Sequence, residues 1–210
     1  MFVDPSGKGR DATGYAVVKM LNGNLYVPDA GGLNGGYSDA VLTTLSKIAK
    51  TNKVNTILVE SNMGGGMFAE LMKPFLMRYH PCEIQDVRNT KTKELRIIDT
   101  LEPVMNSHRL IIDRKVVEKD YRSNPNEAPE RKLKLQLFYQ MSRITRHRGS
   151  LVHDDILDAL SGAVAYWTEY MNQDEDRNIN SRKDEMLRVH LDNWGSFMNL
   201  SLIHISEPTR

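Results

Sequence analysis

At 210 residues, with 40% hydrophobic and 26% charged side chains and a formal net charge of +1, the chain has the makeup of one globular domain with a sizeable core. That composition excludes collagen-like, disulfide-scaffold and wholly disordered proteins, and no stretch approaches the roughly 18 consecutive apolar residues of a membrane span. Cys82 is the only cysteine, so an internal disulfide and a cysteine zinc cage are excluded and a reducing compartment fits best.

Met1 to Asp4 reads as a short buried strand stopped by Pro5, without the basic flank or long apolar run of a secretory leader, and residues 6–10 follow as a loop. Tyr15 to Lys19 and Leu25 to Ala30 flank Asn22-Gly23, a dipeptide that accepts the positive φ of a tight hairpin, so the first three strands are expected to form an antiparallel meander. After a glycine-rich loop over residues 31–36, Ser38 or Asp39 can cap a helix that carries Val41, Leu42, Leu45 and Ile48 on one face and stops near Asn52. Thr56 to Val59 has the continuous apolar run of a central strand, with Glu60 at its carboxyl end. A helix is expected over Phe68 to Tyr79, interrupted near Pro74, then a strand over Cys82 to Val87. Lys91 to Asn106 reads as a helix with Leu95, Ile98, Leu101 and Met105 in register and Asp99 or Glu102 facing water. Leu110 to Ile112 is a short strand.

Arg131 to Val152 holds six Lys or Arg residues and no acid, and is the one clearly basic block. From Asp154 to about Met171 an amphipathic helix is expected, with Ile156, Leu160, Ala163, Trp167 and Tyr170 inward and the small residues Ala159, Ser161, Gly162 and Ala163 allowing close approach to a sheet. Residues 172–199 read as a polar tail or terminal helix. The order of elements predicts an α/β fold with a mixed sheet: the antiparallel three-strand meander plus parallel strands, flanked by helices. Leu200 to Arg210 resembles the conceptual translation of a sequencing adapter and is expected to lie outside the fold, the natural C-terminus then being missing.

Three places carry acids of interest. Asp4 closes the first strand, Glu60 closes the fourth, and Asp154, Asp155 and Asp158 open the last long helix. Taken singly, Asp4 is a turn former, Glu60 a solvated strand end, and Asp154 and Asp155 helix caps. Taken together, acids at the carboxyl ends of neighbouring central strands can converge, and clustered carboxylates need cations, for which hard Mg²⁺ or Mn²⁺ is suited. Two such ions about 3.5–4 Å apart clamp the attacking and leaving oxygens of an in-line phosphoryl displacement.

The stretch Asp4-Pro5-Ser6-Gly7-Lys8-Gly9-Arg10-Asp11-Ala12-Thr13-Gly14-Tyr15 resembles the opening motif of the nuclease domain of phage large terminase subunits. Within that family it is most similar to the DNA maturase B proteins of short-tailed phages. Val59 to Phe68, Glu94 to Pro103 and His153 to Leu160 resemble three later blocks in the same order, and the likeness covers residues 1 to about 171, the extent expected of the nuclease domain. It implies a ribonuclease-H-like fold in which a first-strand Asp, a fourth-strand Glu and an Asp of the C-terminal helix bind two divalent ions, Mg²⁺ or Mn²⁺. Carried over, Asp4, Glu60 and Asp155 are the catalytic ligands, with Asp158 ligating or orienting the second ion, Asp154 the runner-up to Asp155, and Asp11 a further ligand if the glycine loop folds back.

The implied reaction is metal-dependent endonucleolytic hydrolysis of concatemeric double-stranded DNA, one ion activating a water and the other stabilising the departing 3′ oxygen. No side-chain nucleophile is needed, so Ser61, His80, His108 and His153 are not cast as a triad. Lys8, Arg10, Arg143, Arg146 and Arg148 are the candidate phosphate contacts, with a solvated face the competing reading, and Lys91, Lys93 and Arg96 extend that track if the fold brings them to one side. No Gly-x-x-x-x-Gly-Lys-Ser/Thr motif occurs, so neither a nucleotide site nor the family's ATPase motor is expected in this chain. The resemblance further implies a terminase ATPase domain, a small terminase subunit and a portal protein as partners, no membrane, and the host cytoplasm as location. Two rivals remain: a non-catalytic DNA- or portal-docking module of the same fold, and a Holliday-junction-resolvase-like nuclease.

Overall fold

The computed structural model describes residues 1–6, 12–61, 66–89 and 92–203, with side chains described to residue 191 apart from 174–176 and 178. Strands β1 (Phe2–Asp4), β2 (Thr13–Leu21) and β3 (Asn24–Leu33) form the expected meander. Helix α1 (Asp39–Thr51), strand β4 (Thr56–Glu60), helix α2 (Met67–Tyr79), strand β5 (Glu83–Val87), helix α3 (Lys93–Asn106) and strand β6 (Leu110–Ile112) follow. Helices α4 (Arg114–Arg122), α5 (Pro129–Lys134), α6 (Leu137–Arg143) and α7 (Asp155–Ile203) complete the order.

The six strands make one mixed sheet in the order β5-β4-β1-β2-β3-β6. β1 pairs antiparallel with β2 and parallel with β4, and β5 and β6 add parallel strands at the two edges. Asn22 and Gly23 both take positive φ (51° and 75°), as the tight hairpin between β2 and β3 requires. β3 runs further than expected, through Gly31 and Gly32. A Cβ there would fit tightly, 3.3 Å from the Tyr15 hydroxyl at Gly31 and 3.1 Å from the Ala12 Cβ at Gly32.

Alternation along the central strands separates two faces. Met1, Val3, Tyr15, Val17, Ile57 and Val59 point into the core beneath α1 and α2, joined by Leu42, Leu45, Phe68 and Met72. Fully burying each such large side chain is worth about 1.5–3 kcal/mol. Phe2 points to the other face, where α7 packs so closely that a Cβ on Gly162 would meet the Phe2 ring at 2.5 Å. The small residues of this helix therefore serve the close approach expected of them, and Ile156, Leu157, Ala159, Leu160, Ala163 and Val164 are all buried, whereas Tyr170, expected inward, is exposed.

Other elements also depart from expectation. The buried stripe of α3 is Glu94, Ile97, Leu101 and Val104, one residue off the expected register, leaving Leu95 and Met105 exposed. The reason lies in Glu94 and Arg96, whose polar bonds, described below, set the rotation of the helix. Helices α4 to α6 were not anticipated: at 9, 6 and 7 residues they are too short to repeat an apolar spacing, α4 burying Val116 and Asp120 and α5 nothing. α7 extends to Ile203, so residues 172–199 take the helical form, one of the two expected for them. Two compact units emerge, Met1–Trp167 and Thr168–Arg210. No described helix is long and apolar enough to cross a membrane.

Candidate metal centre

Parallel pairing of β1 with β4 in the register Phe2↔Leu58 and Val3↔Val59 sets Asp4 beside Glu60 one step further along, both at the carboxyl ends of their strands. Strand parity aims these acids to the Phe2 face, toward α7. On α7, Asp158 stands four residues before Gly162 and hence on the same helix face, one turn along. One carboxylate oxygen each from Asp4, Glu60 and Asp158 lies within 4.8 Å of the others. Asp158 is 1% exposed and Glu60 is buried.

Cations from α3 hold this cluster. Lys93 Nζ lies 3.6 Å from Asp4, 2.9 Å from Asp154 and 3.1 Å from Asp158. Arg96 reaches both oxygens of Asp158, at 2.8 and 3.0 Å, and Glu60 at 3.7 Å. Asn89, beyond β5, donates to Glu60 Oε1 at 3.2 Å. Four carboxylates thus face two cations, a formal excess of two negative charges. Burial, reinforced by Asp158, Glu60 and Asp155 and opposed by Lys93, pushes the Asp4 carboxyl up to about 8. Burial and the neighbouring Asp158 likewise raise Glu60, and burial raises Asp158. Burial pulls Lys93 down, but Asp158, Asp4 and Asp154 outweigh it and hold the ammonium charged. A buried set of hard oxygen donors short of positive charge suits a divalent cation of the Mg²⁺ or Mn²⁺ kind.

Among the expected ligands, the structure brings Asp4, Glu60 and Asp158 together and leaves Asp155 outside that group. The crossing of α7 over the sheet is the cause: the Asp155 carbonyl lies where a Cβ on Gly14 of β2 would fall, 2.1 Å away. Asp155 therefore sits over β2 and lines a recess with Ala12, Asn34, Asn124 and Gln140, although its charge still acts on Asp4. Asp154 takes part through Lys93. Asp11, Lys8, Arg10 and Lys91 lie outside the described residues. Ser61 Oγ donates to the Val87 carbonyl at 3.4 Å.

The basic block divides. Arg146 is engaged with Asp99 at 3.4 Å and Glu102 at 3.1 Å. Arg143 stacks over Tyr139, its guanidinium carbon 5.8 Å from the ring centroid, and Arg143 and Arg148 are both exposed. Lys93 and Arg96, expected on a phosphate track, instead turn onto the acids. Sequence reasoning missed their role and that of Asn89. The i,i+3 spacing of Lys93 and Arg96 at the start of a helix was the available signal.

A mixed sheet with this order, flanked by helices and with acids gathered at its carboxyl edge, places the chain among ribonuclease-H-like domains. The family model for the ribonuclease-H-like domain of the bacteriophage T7 terminase matches residues 3–110, and the chain belongs to that family. It is 42% identical over 174 residues to the terminase large subunit of Enterobacteria phage T3, an alignment covering 83% of this chain and 30% of that protein. The chain thus spans about a third of the length of this relative. Among solved structures, a mutant nuclease domain of the large terminase subunit of bacterial virus Sf6, with manganese and beta-thujaplicinol, aligns at a TM-score of 0.49 and 14% identity over 78% of this chain and 86% of that one. A calcium form of a mutant from the same subunit aligns at 0.47 and 15% identity with the same coverage.

Proposed function

We propose that the chain is the metal-dependent endonuclease of a phage DNA-packaging terminase and hydrolyses phosphodiester bonds in concatemeric double-stranded DNA. The observation that carries this reading is the convergence of Asp4, Glu60 and Asp158 from three separate elements onto one buried point. Asp4, Glu60 and Asp158 would hold Mg²⁺ or Mn²⁺, with Asp155 contributing through its charge on Asp4. Two such ions supply the Lewis acidity that makes a water nucleophilic near neutral pH and stabilises a departing 3′ oxygen. Asn89 orients the Glu60 carboxylate, and Lys93 and Arg96 keep the acids gathered against their mutual repulsion. Of the candidate phosphate contacts, the exposed Arg143 and Arg148 would meet the DNA backbone in a sequence-tolerant contact. The ATPase domain, small subunit and portal protein of a packaging machine are the partners this assignment implies, in the host cytoplasm.

The ion pairs of Lys93 and Arg96 favour one rival, a non-catalytic docking module whose acids serve only the fold. Nicking of supercoiled plasmid by the purified chain separates the two. Activity that requires Mn²⁺ or Mg²⁺ and is lost in a folded Asp4→Ala variant is expected, and metal-independent or absent nicking by the wild-type chain refutes the nuclease. Preference for branched over linear duplex would identify a resolvase instead.

A further inference from the structure

The N-terminal turn of α7 is held by a side chain from another helix. Gln140 of α6 is 1% exposed, and its Oε1 accepts from the Leu157 N–H at 3.1 Å while its Nε2 donates to the Lys134 carbonyl at 3.3 Å. Leu157 lies in the first turn of α7, where backbone N–H groups have no carbonyl partner within the helix. The next residue is Asp158, whose own N–H is bonded to the Asp154 carbonyl at 2.8 Å.

α6 is held in the same way one step back. Asp120 of α4, buried, accepts from Leu137 N at 2.8 Å with Oδ1 and from Phe138 N at 3.1 Å with Oδ2. α4 is in turn tied to the sheet by Lys119, which contacts the Tyr15 hydroxyl and lies 2.7 Å from Asp29. A cap supplied by a neighbouring residue only stops a helix from fraying. A cap supplied from a separate packed helix also fixes the rotation and axial position of the helix it holds, because the acceptor cannot follow if that helix slides.

We infer that Gln140 is a positioning residue for the carboxylate cluster: its bond to the Leu157 N–H sets the first turn of α7 so that Asp158 meets Asp4 and Glu60, with Asp120 fixing Gln140 in turn. The inference rests on the nuclease reading above for its consequence, and on the two buried caps for its geometry.

Three variants of the full 210-residue chain test it: Gln140→Met, of similar length without a strong acceptor; Gln140→Glu, whose neutral carboxyl keeps both the acceptor for the Leu157 N–H and a donor for the Lys134 carbonyl; and Asp120→Asn, one step back. On the metal-free protein, amide hydrogen exchange at Leu157 is expected to rise about tenfold in Gln140→Met and to stay near wild type in Gln140→Glu. By calorimetry with Mn²⁺ alone, the half-saturating concentration is expected to rise about tenfold in Gln140→Met and to be restored in Gln140→Glu, as for other residues that orient metal ligands. A purely structural role would lower the melting temperature and leave Mn²⁺ affinity unchanged, which overturns the inference, as does a protected Leu157 amide in Gln140→Met. Should Gln140→Met not fold, Asp120→Asn carries both readouts, with smaller shifts in the same direction and with unchanged values again overturning the claim. A wild-type chain that binds no Mn²⁺ brings down the nuclease reading and with it the consequence for the cluster, whereas a wild-type chain that binds Mn²⁺ with unchanged affinity in Gln140→Met brings down the positioning alone, so the two failures are read separately.

Discussion

Asp158 and Asp155 differ by three positions on one helix, yet only the first shares a point with Asp4 and Glu60. Asp158→Asn is therefore expected to lower Mn²⁺-dependent nicking by roughly 10²–10³, the usual cost of removing one group from a preorganised charged site, and Asp155→Asn by much less. Single-turnover rates at saturating metal check the ranking, and equal losses would contradict it. Glu94 permits a pH test away from the cluster. Its Oε1 accepts from the Gly149 N–H at 2.6 Å, and that bond, with help from Arg148 and Lys93, holds the carboxyl below the ordinary glutamate range. A carboxyl lowered on folding stabilises the fold above its unfolded value, and the gain fades as pH falls through the lower folded value. Glu94→Gln, which keeps an oxygen acceptor for the Gly149 N–H but loses the charge, is thus expected to cost about 1 kcal/mol at pH 7, the difference between a charge-assisted and a neutral hydrogen bond, and progressively less below about pH 4.5. Urea titrations across that range read the difference.

At the scale of elements, the site depends on how α7 lies across the sheet, and two glycines set that crossing. A Cβ on Gly14 would meet the Asp155 carbonyl oxygen at 2.1 Å and its carbon at 2.5 Å, and both are backbone atoms that cannot rotate away. Gly14→Ala is expected to destabilise the chain by roughly 3 kcal/mol and to weaken Mn²⁺ binding, because the first turn of α7 must lift. Chemical denaturation and metal titration of the same preparation test the two consequences together. α3 is the second such element. Its Lys93 and Arg96 face the acids, while Glu94, Asp99 and Glu102 fasten the 144–150 loop through Gly149 and Arg146. Sequence periodicity placed the helix well but missed this rotation, since hydrophobic spacing counts apolar residues and is blind to a buried Glu94.

For the molecule as a whole, a net charge of +1 leaves the proposed DNA binding to local charge rather than to the summed field. Arg143, Arg146 and Arg148 are all exposed, and Arg146 in addition pairs with Asp99 and Glu102. Replacing Arg143 or Arg148 by Ala is expected to weaken duplex binding and to reduce the slope of log affinity against log salt by about one each, while Arg146→Ala leaves the slope unchanged and loosens the loop. Fluorescence anisotropy over a salt series discriminates these outcomes. Within the unit Met1–Trp167, the meander, the central strand ending in Glu60 and the small-residue helix were all legible in the sequence, because turn chemistry, apolar runs and helical spacing are local properties. α4 to α6 were not, because helices of 9, 6 and 7 residues are too short for a spacing to repeat.

The amino-acid sequence alone determined the chemistry available: acids closing two strands and opening a helix, a single cysteine, a basic block, and family motifs in order. Which helix acid joins Asp4 and Glu60, which cations neutralise them, and which side chain holds α7 in place were decided only in the tertiary structure. Those choices turn on the rotation and crossing of helices over the sheet, set by contacts such as Phe2 with Gly162 and Gly14 with Asp155, between residues about 140 or more positions apart that no local pattern connects.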